Sequence, residues 1–201
     1  RSVDLRYSWT ILNDSGFGEY RRPFGPKRGL FSPQCLLSSM SSTSDRVANA
    51  VEDHRAFEPT GELTFHSTTT TFDAVVDATV TDDGVSFAVT VTVPMLSAVT
   101  DDDLAPIVED GWYETFERRV TDLGAIFRTD RELTPQLTRD DGEAVVTATL
   151  TDRNIDRGVD DAAALIDFVE GTYVQGVIPG YTYTDPVAGL LEQARAAGGS
   201  T

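Results

Sequence analysis

The chain has 201 residues, with 33 Asp and Glu against 16 Lys and Arg and a formal net charge of −17. That balance weighs against nucleic-acid binding, which needs a clustered basic footprint. No run approaches the ~20 apolar residues of a membrane-spanning helix, and the single cysteine, Cys35, excludes a disulfide framework.

The charge is unevenly spread. Lys27 is the only lysine; from Met40 onward the chain holds 20 Asp, 10 Glu and 10 Arg, a net −20. Residues 1–39 carry six basic and three acidic groups and three of the nine prolines. We therefore expect 1–39 to be a non-native or disordered leader and 40–201 to be a single acidic α+β domain. In dilute buffer such a charge repels itself, whereas in molar salt the Debye length shrinks to about 3 Å and the repulsion is screened. The expectation is a halophilic cytoplasmic protein whose carboxylates belong to its solvent and say little about its task.

The elements read in chain order as follows. Val47, Ala50, Val51, His54 and Phe57 share one face of a helix over 44–57, with Ser44 as N-cap and Glu58-Pro59 as the stop. Alternation then gives three strands: Leu63–Ser67, Phe72–Val80 and Val85–Val93. Asp82-Asp83-Gly84 is the expected type I′ turn between the last two. A helix over 102–123, capped by Thr100 or Asp101, buries Leu104, Val108, Trp112, Phe116, Val120 and Leu123. Residues 125–129 read as a strand, and Val146, Ala148 and Leu150 as another after the Asp141-Gly142 turn. A helix over 158–177 buries Val159, Ala162, Leu165, Ile166, Val169, Tyr173 and Val177. Pro179-Gly180 breaks it, and Asp185-Pro186 opens a last helix over 186–197. The order α-β-β-β-α-β-β-α plus a C-terminal helix implies a single antiparallel sheet of about five strands with helices on one face.

Asp45-Arg46-Val47, Phe57-Glu58-Pro59, Thr71 to Val76, Val91 to Pro94 and Ile178 to Tyr181 together resemble a haloarchaeal family of unknown function, over about 40–183. The element order is also similar to type III secretion chaperone-like and YbjN-type domains. That likeness implies a protein-binding adaptor role by analogy of topology, and fold alone does not set function.

Chemistry-bearing residues are few. His54 falls on the apolar face of the first helix and His66 on the outer face of the first strand. Either would serve as a general base in a cleft beside the 159–177 helix, with Arg118, Arg119 or Arg128; a structural histidine is the simpler reading. Arg118-Arg119, Arg128/Arg131 and Arg153/Arg157 are pairs and form no stripe for a nucleic acid; one of them could take a phosphate, with severe weakening by salt. Asp152 to Gly158 begins like a calcium loop, but the glycine falls one place late and Ala163 stands where the bidentate Glu belongs, so a helix cap is the better account. Asp101 to Asp103 suits a helix start better than magnesium. There is no phosphate-loop lysine and no dinucleotide fingerprint.

No catalytic, metal or cofactor site is expected. The aromatic residues are the remaining candidates: Trp112 and Tyr113 on one helix, Tyr181 and Tyr183 after the Pro-Gly break, with Gly171 and Gly176 allowing close backbone approach. Tyr and Trp favour interfaces, so these four are the expected interaction surface, as an exposed apolar patch for a protein partner or a homodimer. Neither a nucleic acid nor a membrane is an expected partner.

Overall fold

The computed structural model describes residues 33–123, 127 and 133–198. Its architecture is α+β: six strands form one open antiparallel sheet covered by helices on one face. The strands are β1 (Phe57–Pro59), β2 (Thr64–Ser67), β3 (Asp73–Thr81), β4 (Gly84–Pro94), β5 (Gln136–Asp140) and β6 (Glu143–Asp152), in spatial order β1-β2-β3-β4-β6-β5. The helices are α1 (Pro33–Glu52), α2 (Pro106–Thr121), α3 (Ile155–Gly176) and α4 (Val187–Gly198).

The core follows from period-two alternation. Ala74, Val76 and Ala78 of β3, Val85 to Val93 at every second place of β4, and Val146, Ala148 and Leu150 of β6 are buried on one face. Val159, Ala162, Leu165, Ile166 and Val169 of α3 are buried against them. At the crossing, Gly158 meets Phe87 so closely that an added Cβ would stand 2.3 Å from the ring. On the other face Asp73, Asp77, Thr79, Thr147 and Thr149 are exposed, the polar side that an antiparallel sheet turns to water.

The differences from expectation have physical causes. α1 begins at Pro33, passes through Ser44 and ends at Glu52, so Ser44 is not a cap. His54 then lies in a turn, and Phe57 is the buried first residue of β1. β1 and β5 are both strands that the pattern does not announce: β1 is three residues long, and β5 is a polar edge strand with no alternation to betray it, exposed at every position but Leu137. Its hairpin with β6 turns at Asp141 (φ 41°) and Gly142 (φ 86°), which is the type I′ turn, since that turn needs positive φ at both central residues. The β3–β4 turn is of another kind, because neither Asp82 nor Asp83 has positive φ.

α2 starts at Pro106, with Ala105 at the N-cap and no side-chain cap bond. Proline is preset for the first helical position, so Asp101 to Asp103 fall before the helix. The Asp102 carboxylate instead accepts the Thr182 N–H at 2.6 Å. α3 starts three residues early, where the Asn154 side chain accepts the Arg157 N–H. The expected strand over 125–129 lies outside the described residues apart from Phe127, which is buried. No helix among the described residues is long and apolar enough to cross a membrane.

Candidate functional site

The feature that concentrates unsatisfied chemistry is an aromatic cluster where α2 meets α3. Trp112 and Phe116, one helical turn apart, stack with ring centroids 5.4 Å apart and planes 4° from parallel. Tyr173 of α3 meets both edge-on, at 5.4 Å and 6.1 Å, and Phe72 packs against its other side at 4.9 Å. The i, i+4 spacing of Trp112 and Phe116 puts both on the α2 face that α3 covers. Gly176 completes the contact, since a Cβ there would lie 3.2 Å from the indole Nε1.

Two polar atoms of this cluster, Trp112 Nε1 and Tyr173 Oη, are buried without a hydrogen-bond partner. A buried polar group left unpaired costs about 1–3 kcal/mol, and Tyr and Trp normally satisfy theirs. Burial, followed by the charges of Tyr183 and Glu109, pushes the Tyr173 hydroxyl well above the ordinary tyrosine range.

A cleft of about 320 Å³ opens over this contact. Val108, Trp112, Phe116 and Ile178 give it an apolar part, Thr115, Thr172, Gln175 and Arg119 a polar one, and Gly111 and Gly176 leave it open. The Arg119 guanidinium has no ion pair among the described residues and is exposed. Ile107, 78% exposed, precedes Val108 and lies one turn before Gly111. It is the one large exposed hydrophobic among the described residues, so the apolar surface is a cleft with a single hydrophobic beside it; no broad patch forms.

The four expected interface residues are spread over different environments. Trp112 is 4% exposed and reaches the surface only through the cleft. Tyr113, half-buried, lies under the Arg139 guanidinium at 5.8 Å. Burial and then Glu117 raise its hydroxyl pKa, with Arg139 opposing. Arg139 itself bonds Asp110 at 2.7 Å and Glu109 at 3.1 Å, while Glu109 accepts the Ser97 N–H, so Tyr113 belongs to a clamp holding β5 to α2. The Tyr183 hydroxyl donates to the Ile178 carbonyl, and its segment is laced to residues 99–102 through a bridge between Thr100 and Tyr183. Tyr181 is half-buried beside it. Ile178 therefore links the Tyr183 arch to the cleft. Gly176 serves the Trp112 contact, whereas nothing lies within 4 Å of a Cβ at Gly171.

The histidines are not brought together. His54 pairs with Asp160 at 3.3 Å, and His66 with Asp73 at 3.1 Å on the open face of the sheet. Neither lines the α2–α3 cleft. Arg118 and Arg119 sit in the last turn of α2, and Arg128 lies outside the described residues. Among the described residues no three His, Cys, Asp or Glu side chains converge to hold a metal. Asp152, the head of the calcium-like segment, spends its oxygens on the Asn154 N–H and the Arg157 guanidinium.

A model of DUF5813, a family of unknown function, matches residues 42–193. The chain belongs to that family. The matched span holds both helices of the cleft and the whole sheet. No curated protein and no solved structure matches the chain.

Proposed function

We propose that this DUF5813 chain is a non-enzymatic interaction module that takes an apolar side chain of an acidic protein partner into the α2–α3 cleft. The observation that carries the reading is the cleft itself, walled by Val108, Trp112, Phe116 and Ile178 with the exposed Ile107 beside it. Charge complementarity names the partner's character, because Arg119 offers a guanidinium with no ion pair at the same cleft.

The composition supports a haloarchaeal, salt-rich cytoplasm as the setting, since lysine is confined to Lys27 while carboxylates dominate. One sheet with helices on a single face supports likeness to chaperone and adaptor domains, as an analogy only.

The test uses the full chain at molar salt. Gly111→Arg fills the mouth from a position where a Cβ meets nothing, and the double variant Ile107→Asp, Arg119→Glu reverses the surface chemistry beside the cleft. Light scattering gives oligomeric mass, and affinity capture from native extract with mass spectrometry gives partners. One acidic protein held by the wild type and lost from both folded variants is the expected result. Identical assemblies in all three proteins, or a monomer that retains nothing, would overturn it.

A further inference from the structure

A second cleft, of about 550 Å³, lies on another part of the molecule, between α1 and the start of α3. Three of the ten arginines found after Met40 line it: Arg46 of α1, and Arg153 and Arg157 at the β6–α3 junction. For a chain with twice as many acids as bases, that is a marked local concentration of guanidinium groups. We propose that this cleft binds a small phosphorylated, hydroxyl-bearing molecule of the sugar-phosphate class.

The argument begins with a held guanidinium. Asp152, with its side chain 2% exposed, accepts from Arg157 Nε at 2.8 Å and Nη2 at 2.7 Å. That bidentate grip fixes the plane of the guanidinium and uses only two of its five N–H donors. The remaining donors are preorganised at the cleft, so little side-chain entropy is lost when an anion arrives. Asp152 Oδ1 also accepts the Asn154 N–H, and Asn154 Oδ1 accepts the Arg157 N–H. The end of α3 is thus already capped, and an anion here would be held by side chains. With its oxygen occupied, the Asn154 amide keeps two donors of its own.

The other two arginines are available. Arg46 has no hydrogen bond or ion pair among the described residues. Arg153 is held only through Asp83, by a 3.2 Å bond to its carbonyl and a 3.7 Å ion pair between side chains 83% and 88% exposed. An exposed pair of that length is worth about 0–1 kcal/mol, so an entering phosphate outcompetes it. Arg46 and Arg153 also line an adjoining cleft over the β3–β4 turn, which places them between two hollows.

The carboxylates decide the rest of the ligand. Asp53 and Asp156 line the same cleft and are exposed. They repel a naked polyphosphate and accept hydrogen bonds from hydroxyl groups. A cleft of this size suits a ligand larger than a bare anion, within the ~300–1,000 Å³ common for small-molecule sites.

The experiment is calorimetric titration of the full chain with ribose 5-phosphate, inorganic phosphate and ribose at matched ionic strength, on wild type and on Arg46→Gln, Arg153→Gln. Both substitutions lie at exposed side chains, and Arg157 is left in place to keep its bond to Asp152. Ribose 5-phosphate is expected to bind at about millimolar concentration and to weaken as salt rises. The double variant is expected to lose about tenfold or more, a difference of about 1.4 kcal/mol. No heat from ribose 5-phosphate, equal binding by the variant, or equal affinity for inorganic phosphate would each overturn the proposal.

Discussion

At the scale of single residues, Tyr173 shows how burial and chemistry pull against each other. It is wholly buried among Phe72, Trp112 and Phe116, yet its hydroxyl has no partner. Tyr173→Phe keeps the ring contacts and deletes the orphan, so stability in denaturant should rise by about 1 kcal/mol at neutral pH. A loss would show that the hydroxyl does find an acceptor. The sign of the alkaline effect is fixed by the folded pKa lying above the unfolded value. The neutral phenol's stabilisation is complete below about pH 10 and is lost as pH rises beyond it, because the unfolded chain ionises first. The wild type should therefore lose up to about 1.4 kcal/mol per pH unit from this group above pH 10, and Tyr173→Phe should flatten that fall in urea melts repeated across pH. Gly158 is the opposite case, a residue set by a neighbour's bulk. Gly158→Ala would gain about 1 kcal/mol of helix propensity in open solvent. Here its Cβ would strike Phe87, and overpacking costs about 1–3 kcal/mol, so the urea midpoint should drop; a higher midpoint would mean that the Phe87 ring swings aside.

At the scale of elements, the start of α3 binds helix, sheet and arginine cleft together. Asn154→Ala removes the cap and should cost about 1 kcal/mol, visible as a lower melting temperature with an unchanged far-ultraviolet spectrum. If the melt is unmoved, the Asp152 carboxylate alone secures that end. The sequence made the central sheet legible because β3, β4 and β6 alternate strictly, and it made the buried faces of α2 and α3 legible because their apolar spacing is helical. It hid β5, whose Gln136–Asp140 run is polar on both faces; Asp141-Gly142, a hairpin turn that demands a strand on each side, was the signal for it. It also hid the true start of α2, although Pro106 is a first-position residue. The candidate sites were less legible still. Trp112 reads as core and is core, but its unpaired nitrogen exists only where Gly176 of another helix meets it. Arg153 and Arg157 read as a pair, and nothing in the one-dimensional pattern brings Arg46, more than a hundred positions away, into the same cleft.

At the scale of the whole molecule, charge is the property with most leverage. Asp73 and Asp77 on the open sheet face, Asp82 and Asp83 at the β3–β4 turn, and Asp101 to Asp103 ahead of α2 are all exposed, so most of their mutual repulsion passes through solvent. The compensating pairs are local: Arg139 with Asp110 and Glu109, Arg157 with Asp152. Folding gathers a chain of net charge −17 into a small volume, and the unfolded chain relieves that repulsion by expanding. Added salt must then favour the folded state, because at 0.1 M the Debye length is about 10 Å, comparable to spacings between surface charges, and at 1 M it is about 3 Å. The melting temperature should climb through KCl concentrations from about 0.1 to 2 M, steeply at first and then more slowly as screening saturates. Potassium chloride is the right probe because sulfate or phosphate would also strengthen apolar burial and blur the cause. Replacing Asp101, Asp102 and Asp103 by Asn separates the two contributions further. It removes repulsion and should raise the melting temperature at low salt while shrinking the salt response. The Thr182 N–H bond to Asp102 should survive through the amide oxygen. A melting temperature that is flat or falling in KCl would show that the surface carboxylates are already neutralised by their own ion pairs.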